Sequence, residues 1–223
     1  MSRIGTVVSA RTASRRLPAK ALLDLGGVPM IQFLLDRLRA TQRGGPVIFA
    51  TTQRSDDDAL ADLVHGLGFP VFRGADADVA GRHLACARAF DLDWIIRVTG
   101  DCPFVDAESM DACLVQWTAD EGVDLMSTKG VFPVGIDYEL LSSAVLASEW
   151  PRMNDDEREH LTLRFYRADL GFRVKRFERP ADWPAVGRTF LVDTPADYAR
   201  ARSTVAQLGS GRFTVGELLR IDG

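Results

Sequence analysis

Short, almost wholly apolar runs alternate with amphipathic segments through the first half of this chain, and this alternation restricts the fold more than any other feature. The apolar runs predict strands at 4–10, 46–52, 70–74 and 94–101. Apolar residues recur at helical spacing between and after them, at 29–41, 55–68, 78–90 and 106–120. Strands of this kind, separated by helices, indicate an α/β fold whose mostly parallel central sheet is covered on both faces.

Capping residues support several of these helices. Pro29 suits a first helical turn, and Asp106 is a capping residue for 106–120. Ser55 precedes an acidic first turn, and Gly68 follows the last periodic residues of the same segment. We therefore predict that a helix begins at Ser55.

The second half of the chain is less regular. It predicts strands at 123–128, 135–142 and 172–179, a helix over 156–169, and a late helix over 195–209 that Pro195 opens. No repeat or low-complexity linker divides the chain. We therefore predict one domain over 1–223, with residues of about 129–182 forming an elaboration on the acceptor side or at a subunit contact.

Composition excludes several classes of protein. The chain has 223 residues, a formal charge of −4 and no basic stripe, which argues against a nucleic-acid partner. Its three cysteines form no C-x-x-C pair, so neither a disulfide framework nor a zinc site is indicated. No signal peptide and no apolar run near eighteen residues is found, so we expect a soluble, cytoplasmic protein without a membrane partner.

Polar, small and charged residues follow the predicted strands at one end. They include Thr51 and Thr52 after the second strand, and Thr99, Gly100 and Asp101 after the fourth. Ligands of open parallel sheets bind outside the carboxyl ends of the strands. The opposite ends show no common chemistry, so we predict a site at the carboxyl edge.

The segment SARTASRRLPAK (9–20) places three arginines and one lysine directly after the first strand. Arginine runs usually cover a solvated surface, but a loop that leaves the first strand of an α/β unit is a common phosphate site. The loop matches neither G-x-x-x-x-G-K-[ST] nor G-x-G-x-x-G, which disfavours a P-loop enzyme or a Rossmann dehydrogenase. Its four cations suit a triphosphate, and Pro18 stiffens the chain before Lys20.

The basic loop and the segment after it, LLDLGGVPMIQFLLDRL (22–38), resemble the start of the cytidylyltransferases. The spore-coat polysaccharide type is the most similar, and the CMP-sialic acid and CMP-KDO synthetases are more distantly similar. Six further blocks resemble that family in the same order: FATTQRSDDDALADL, GFPVFRGADADV, IIRVTGDCPFVD, GIDYELLS, REHLT and VDTPADY. The resemblance covers nearly the whole chain and implies a three-layer α/β/α, Rossmann-like nucleotidyltransferase (GT-A-like) fold.

The resemblance also implies roles for residues at matching positions. Arg11, Arg16 and Lys20 fall on triphosphate-binding, catalytic positions, Asp101 on a catalytic and Mg²⁺-binding position, and Asp193 on a second acidic position near the metal. The nucleotide-binding positions implied are Ser9, Ala10, Ser14, Arg73, Gly74, Asp78, Arg82, Thr99 and Gly100. The positions implied near the acceptor are Gly135, Asp137, Glu159 and His160. Relatives are commonly homodimers, which is the oligomeric state we expect.

The chain departs from the family pattern at a few positions. Ser9 stands where close relatives often have glutamine, and no aromatic pair follows Arg82. Ala13 and Ala19 replace glycines of the loop, a change that is tolerated if both positions keep a negative φ. Because of these departures, the preference for CTP over other nucleotides is implied by the family resemblance alone and not by the residues of the nucleoside block.

The predicted reaction is transfer of CMP from CTP to a sugar acid with release of pyrophosphate, assisted by Mg²⁺. A sugar phosphate or a phosphonate stays open as the acceptor. A nucleotide-sugar glycosyltransferase is an alternative, for which Asp76–Asp78 is the candidate D-x-D motif. A sensor that only binds nucleotide is another alternative.

The two aspartates also have structural interpretations that involve no catalysis. Asp101 can be a turn residue before Pro103, and Asp193 can be part of a helix-capping sequence.

Overall fold

A seven-stranded sheet forms the centre of the molecule in a computed structural model that describes residues 2–117, 122–181, 183–184, 187–209 and 212–221. Its strands lie in the order β5-β4-β1-β6-β8-β7-β9. Their bounds are β1 Ile4–Ser9, β4 Val47–Thr52, β5 Val71–Gly74, β6 Trp94–Thr99, β7 Leu125–Ser127, β8 Glu139–Ser142 and β9 Val174–Arg176. The short strands β2, Asp24–Leu25, and β3, Val28–Pro29, form a separate antiparallel hairpin.

The sheet is mostly parallel. β1 pairs in parallel with β4 on one side and with β6 on the other, so that Val8 lies opposite Phe49 and Val98. β8 runs antiparallel to both of its neighbours, β6 and β7, while β9 is parallel to β7. Among the described strands of this sheet, β8 alone runs in the opposite direction. The parallel arrangement brings the carboxyl ends of the other strands to one edge.

Helices cover both faces of the sheet. Their bounds are α1 Met30–Leu38, α2 Asp58–Gly66, α3 Val79–Ala89, α4 Ala107–Leu114, α5 Ser143–Glu149, α6 Asp155–Glu159, α7 Pro195–Leu208 and α8 Val215–Arg220. One face packs against α1, α2, α4, α7 and α8, and the other packs against α3, α5 and residues 153–165.

Alternation along the strands produces two hydrophobic cores. Val8 and Phe49 point into the core under α1, whereas Val7 and Ile48 point into the core under α3. These side chains are almost fully buried, and each such burial stabilises the fold by about 1.5–3 kcal/mol. The structure thus confirms the predicted three-layer α/β/α arrangement around a mostly parallel sheet.

The prediction of one helix over 156–169 is wrong. The chain forms α6 from a capping box at Asn154, leaves the helix at His160, and continues as two 3₁₀ turns, Leu163–Tyr166 and Ala168–Leu170. Leu161 and Phe165 pack into the core under α3, and Arg164 pairs with carboxylates on two other segments. These tertiary contacts outweigh the helical propensity of the sequence.

Other predicted boundaries shift by a few residues. Ser55 opens a 3₁₀ turn, and its side chain caps no helix; α2 begins at Asp58. The predicted strands 135–142 and 172–179 shorten to β8 and β9. Asp106 caps α4 as expected, but the helix ends at Leu114 and does not continue through 115–117; the predicted last residues, 118–120, lie outside the described residues. The elaboration at 129–182 stays a prediction, although two of its segments, β8 and β9, belong to the central sheet.

The cysteines are buried free thiols. Burial raises the pKa of Cys86 to about 12 and that of Cys113 to about 11, and it also raises the pKa of Cys102. Thiols with raised pKa values are weak nucleophiles, which agrees with a packing role. In the described part of the chain, no helix combines the length and apolar character needed to cross a membrane.

Candidate functional site

The carboxyl ends of β1 and β6 meet at the predicted edge of the sheet. Ser9 pairs with Thr99, and the amide of Gly100 donates a hydrogen bond of 2.8 Å to the carbonyl of Ser9. A Cβ atom at Gly100 would lie 2.6 Å from the Cβ atom of Ala10. Glycine is therefore required here because the two chains approach so closely.

A cavity of about 320 Å³ opens at this edge, and we call it the first cavity. It brings together twelve of the residues predicted from the sequence: Ser9, Ala10, Arg11, Ser14, Arg16, Lys20, Arg82, Thr99, Gly100, Asp101, Glu159 and His160. Ala13, Ala21, Val79 and Arg97 complete the lining. Five arginine or lysine side chains face two carboxylates, so the cavity carries a surplus of positive charge that suits a polyanion.

Asp57 anchors the start of the basic loop. Its Oδ1 atom accepts hydrogen bonds of 2.7 Å from both the amide and the hydroxyl of Thr12, and its other oxygen accepts from Thr52. Burial by itself raises the pKa of Asp57, but these hydrogen bonds outweigh it and the pKa is lowered. Nothing in the sequence marks Asp57 as an anchor, because the run of three aspartates looks like an ordinary acidic first turn.

Ala19 corrects an expectation about the loop. Its φ is 51°, in the left-handed region, so the condition of a negative φ, under which alanine is tolerated in place of glycine, is not met here. The amide of Ala19 donates to the carbonyl of Thr12 at 3.0 Å, which closes the loop and holds this conformation. A left-handed alanine costs about 1–2 kcal/mol. Ala13 has no positive φ and meets the expectation.

Lys20 lies between two carboxylates at the mouth of the first cavity. Its Nζ atom is 3.0 Å from Oδ2 of Asp101 and 3.1 Å from Oδ1 of Asp193, and Arg16 also pairs with Asp193. The amide of Val192 donates to the carbonyl of Asp101 at 2.9 Å. This bond brings the segment before α7 next to the end of β6, so two distant positions of the sequence form one acidic pair.

The acidic pair fits a divalent cation of the magnesium type. Such an ion is usually held by one or two carboxylates together with substrate phosphates, rather than by a cage of protein ligands. Among the described residues, no three or more histidine, cysteine, aspartate or glutamate side chains come together as a metal site, so a cation here would need substrate phosphates as further ligands. Asp101 and Asp193, which both contact Lys20, present the carboxylate oxygens that such an ion takes.

Two arginines fix the chain after β5 against the first cavity. Arg11 contacts the carbonyl and Oδ1 of Asp76, each at 3.1 Å, and Oε1 of Glu159 at 3.2 Å. Arg82 is almost fully buried and donates to the carbonyl of Ala75 at 2.6 Å. Burial is the main cause that lowers the pKa of Arg82. The loop after β5 is thus tied to the basic loop.

Six predicted residues do not line the first cavity: Arg73, Gly74, Asp78, Gly135, Asp137 and Asp193. The guanidinium of Arg73 donates hydrogen bonds to the carbonyl of Thr52 at 2.9 Å and to the carboxylate of Asp58 at 2.6 Å. Asp78 caps α3 and also accepts from Trp150 at 2.9 Å and Arg158 at 2.8 Å. The contacts of Arg73 and Asp78 in the structure are with other residues of the chain, and their roles in nucleotide binding stay predictions.

Gly135 and Asp137 lie against the segment that leads to Asp193. Gly135 has a φ of 94°, and a Cβ atom there would lie 2.0 Å from the amide nitrogen of Leu191. Oδ1 of Asp137 accepts from the amide of Gly135 at 2.9 Å. Any side chain at Gly135 would displace the backbone before Asp193, so this glycine helps to position the acidic pair.

A second cavity of about 400 Å³ adjoins the first, and we call it the second cavity. The two share Arg97 and His160. The other residues of its lining are Lys129, Gly130, Thr162, Leu163, Tyr166 and Arg176. None of the residues found only in this lining was predicted as a site residue from the sequence.

Glu139 lies beneath both cavities and is fully buried. Its carboxylate is contacted by Arg97 at 2.9 Å, Lys129 at 2.9 Å, Tyr166 at 2.7 Å and Thr162 at 3.1 Å. Burial by itself raises the pKa of Glu139, but the charges of Arg97 and Lys129 outweigh it and the pKa is lowered. A single charged residue within each apolar strand, Arg97 in β6 and Glu139 in β8, is the sequence signal that could have indicated this pair.

Comparison with known proteins agrees with this geometry. The family model described as cytidylyltransferase matches residues 6–210. The spore coat polysaccharide biosynthesis protein SpsF of Bacillus subtilis is 31% identical, and the match covers 94% of this chain and 89% of that protein. A cytidylyltransferase structure from Leptospira borgpetersenii is 26% identical, with a TM-score of 0.89 over 98% of this chain and 92% of the other.

The fold is shared more widely. The structure of CMP:2-keto-3-deoxy-manno-octonic acid synthetase complexed with CTP is 21% identical and has a TM-score of 0.73, over 93% of this chain and all of that one. The predicted Rossmann-like nucleotidyltransferase fold is thereby confirmed. With a matching family model over most of its length and the basic loop, acidic pair and sheet edge in place, the chain belongs to the cytidylyltransferase family and is a CTP-dependent nucleotidyltransferase.

Proposed function

We propose that this protein transfers CMP from CTP to a hydroxyl group of a sugar acid, with release of pyrophosphate. The observation that carries the proposal is the first cavity, where the cations of the basic loop face Asp101 across the carboxyl ends of β1 and β6. The relative named as a spore coat polysaccharide biosynthesis protein supports a role in making activated sugars for a surface polysaccharide.

The chain's own residues orient and stabilise the phosphates in this proposal. The acceptor oxygen attacks the α-phosphorus of CTP in line, the bond from that phosphorus to the pyrophosphate oxygen breaks, and the hydroxyl proton is lost to solvent. Arg11, Arg16 and Lys20 bind the phosphate oxygens and neutralise charge on the departing pyrophosphate. Cations fixed in advance at such positions contribute most of the rate enhancement in phosphoryl and nucleotidyl transfer.

Mg²⁺ is the metal we propose, held by Asp101 and Asp193 together with phosphate oxygens. When bound, it supplies Lewis-acid stabilisation of phosphate charge. Asp101 and Asp193 both contact Lys20, so the same two carboxylates can pair either with the lysine or with Mg²⁺. We propose that Lys20 leaves the two carboxylates when the metal binds and contacts the triphosphate instead.

The alternative of a nucleotide-sugar glycosyltransferase has little support. Its candidate D-x-D motif begins at Asp76, which pairs with Arg11 and Arg54, and ends at Asp78, which caps α3. Neither aspartate lines the first cavity, and the four cations of the basic loop suit a triphosphate better than a diphosphate sugar. A sugar phosphate and a phosphonate are the alternative acceptors for CMP transfer.

The proposal is tested by incubating the protein with CTP, Mg²⁺ and a panel of sugar acids, sugar phosphates and phosphonates. We expect pyrophosphate release and a product whose mass equals acceptor plus CMP. Each of the other three nucleoside triphosphates serves as a control for CTP. Pyrophosphate release with none of the acceptors, or a preference for ATP or GTP, would contradict the proposal.

We further propose a cytoplasmic homodimer, in line with the family resemblance. The three free, buried cysteines are compatible with a reducing compartment. Light scattering of the purified protein measures the oligomeric state directly. A monomer at working concentrations would contradict the dimer and leave the proposed reaction unaffected.

A further inference from the structure

We infer that Asp197 is a positioning residue for the metal: it holds the backbone of Asp193, so that the Asp193 carboxylate faces Asp101. The inference rests on the proposed function, because Asp193 is a metal ligand only in that proposal. Asp197 lines neither the first nor the second cavity, and it was not predicted as a site residue from the sequence.

A single oxygen of Asp197 accepts three hydrogen bonds. Its Oδ2 atom accepts from the amide of Asp193 at 3.2 Å, from the amide of Thr194 at 2.8 Å and from the hydroxyl of Thr194 at 2.8 Å. Thr194 is the N-cap residue of α7, and its hydroxyl accepts in turn from the amide of Asp197. The bonds between Thr194 and Asp197 form a capping box, which satisfies free amides at the start of a helix. The bond to Asp193 reaches one residue farther.

The other capping boxes of the described helices lack this extra bond. In α6, Glu157 accepts from the amide of Asn154 at 3.1 Å, and in α8, Glu217 accepts from the amide of Thr214 at 2.8 Å. Within the part of the chain that the structure describes, neither glutamate accepts from the amide that precedes its N-cap residue. Capping of α7 alone would therefore not require the extra bond, which points to a second role for Asp197.

The extra bond fixes the peptide that carries the proposed metal ligand. The amide of Val192 donates to the carbonyl of Asp101 at 2.9 Å, and the next amide, that of Asp193, donates to Asp197. Two successive amides are thus tied to different elements, one to the end of β6 and one to the first turn of α7. The Asp193 carboxylate held in this way lies 3.1 Å from Nζ of Lys20, which also contacts Asp101. Without Asp197, only the tie at Val192 would remain.

Asp197 holds these amides as a charged acceptor. Its other oxygen, Oδ1, pairs with Arg200. Burial by itself raises the pKa of Asp197, but the hydrogen bonds from Thr194 and Asp193 and the charge of Arg200 outweigh it, and the pKa is lowered from its ordinary value of 3.8. The carboxylate is therefore ionised at neutral pH, and a charged acceptor binds amides about twice as strongly as a neutral one. Both oxygens of Asp197 have partners within the chain, so it supports the acidic pair without being a metal ligand.

Binding of Mn²⁺, followed by electron paramagnetic resonance without nucleotide, tests the inference apart from turnover. Asp197→Ala should weaken Mn²⁺ binding at least about tenfold, because loss of a group that orients a metal ligand usually costs about ten- to a hundredfold in affinity. Glu217→Ala is the matched control, since Glu217 holds the same place in the capping box of α8 and contacts neither residue of the acidic pair. It should lower the melting temperature by a similar amount and leave Mn²⁺ binding unchanged. Equal changes of Mn²⁺ binding in the two variants, or no change in Asp197→Ala, would overturn the inference.

Asp193→Asn separates this inference from the proposed function. It should weaken Mn²⁺ binding at least as much as Asp197→Ala does, because it alters the ligand itself. If Asp193→Asn weakens binding and Asp197→Ala does not, the inference fails and the proposed metal site stands. If Asp193→Asn binds Mn²⁺ as tightly as the wild type, Asp193 is no metal ligand, and the metal's place in the proposed function fails together with the inference.

Amide hydrogen exchange, measured by nuclear magnetic resonance, tests the hydrogen bond itself. In the wild type, the amide of Asp193 should be protected like that of Val192. Asp197→Asn keeps the size of the side chain and serves if Asp197→Ala fails to fold. In this variant the Asp193 amide should exchange about fivefold faster, because the acceptor has lost its charge, whereas the Val192 amide should stay protected by Asp101. An unprotected Asp193 amide in the wild type, or unchanged exchange in Asp197→Asn, would contradict the inference.

Discussion

Two ion clusters in this molecule have opposite arrangements. At the mouth of the first cavity one cation, Lys20, lies between two carboxylates, whereas beneath the second cavity one carboxylate, Glu139, lies between two cations. The Asp101 and Asp193 side chains keep 27% and 15% of their surfaces exposed, and that of Glu139 keeps none. The clusters therefore differ in how readily their members exchange partners.

The difference suits the two clusters to different roles, one in the reaction and the other in holding neighbouring side chains in place. A partly exposed acidic pair can exchange its lysine for a divalent cation or for water without leaving a fully buried, uncompensated charge. A fully buried carboxylate with four donors cannot lose a partner without leaving an uncompensated charge. We conclude that the first cluster is suited to change during turnover and the second to stay fixed.

The largest effect is expected at Asp101, in the exchangeable cluster. Asp101→Asn should keep the fold and lower turnover about 10³-fold, because it removes a carboxylate that faces the phosphates. Pyrophosphate release at increasing Mg²⁺ concentration measures this loss, and Asp62→Asn, at an exposed position of α2, is the control. Wild-type turnover of Asp101→Asn at limiting Mg²⁺ would refute the metal assignment.

Replacement of Lys20 tests whether lysine and metal compete for the acidic pair. Lys20→Met should lower turnover about 10²-fold, since a cation that stabilises departing phosphate is lost. The free energy of unfolding should fall by about 1–2 kcal/mol, because Asp101 and Asp193 are partly exposed and water compensates part of the lost charge. Without nucleotide, Mn²⁺ should bind the variant more tightly than the wild type, as measured by electron paramagnetic resonance. Equal or weaker Mn²⁺ binding would show that Lys20 does not occupy the metal's place.

Glu139→Gln tests the fixed cluster. It should destabilise the fold by about 3 kcal/mol, because Arg97 and Lys129 lose their counter-charge. The folded pKa of Glu139 lies below its ordinary value of 4.5, so its contribution is complete above pH 4.5 and is lost as pH falls through the folded pKa. The stability difference from the wild type should therefore shrink in acid.

Denaturant unfolding at several pH values measures this dependence, with the exposed Glu178→Gln as control. A Glu139→Gln protein as stable as the wild type at neutral pH would contradict the view that the second cluster is a fixed support.

The smallest expected effect concerns the backbone of the basic loop. Ala19→Gly should stabilise the fold by about 0.5 kcal/mol, since relief of a left-handed alanine exceeds the added entropy of the unfolded chain. Ala13→Gly is the matched control and should destabilise by a similar amount, because Ala13 has no positive φ. Thermal unfolding of the two variants gives opposite shifts if the loop conformation is as described.

Much of the fold could be predicted because local patterns and burial agree. The four apolar strands of the first half and the helices between them were confirmed, as were the mostly parallel sheet and the family resemblance. The helix over 156–169 failed because Arg164 and Phe165 are fixed by partners that are distant in the sequence. Periodicity carries no information about such partners.

The sequence by itself determined the class of the fold, through apolar alternation, and it predicts the place of the chemistry, through the cations that follow β1. Only the tertiary structure decided which charges meet. Asp193 reaches Asp101 because the amide of Val192 binds the carbonyl of Asp101, and Glu139 meets Arg97 because β8 pairs with β6. Ion pairs depend on distances of a few ångströms between residues far apart in the chain, and packing of the sheet sets those distances.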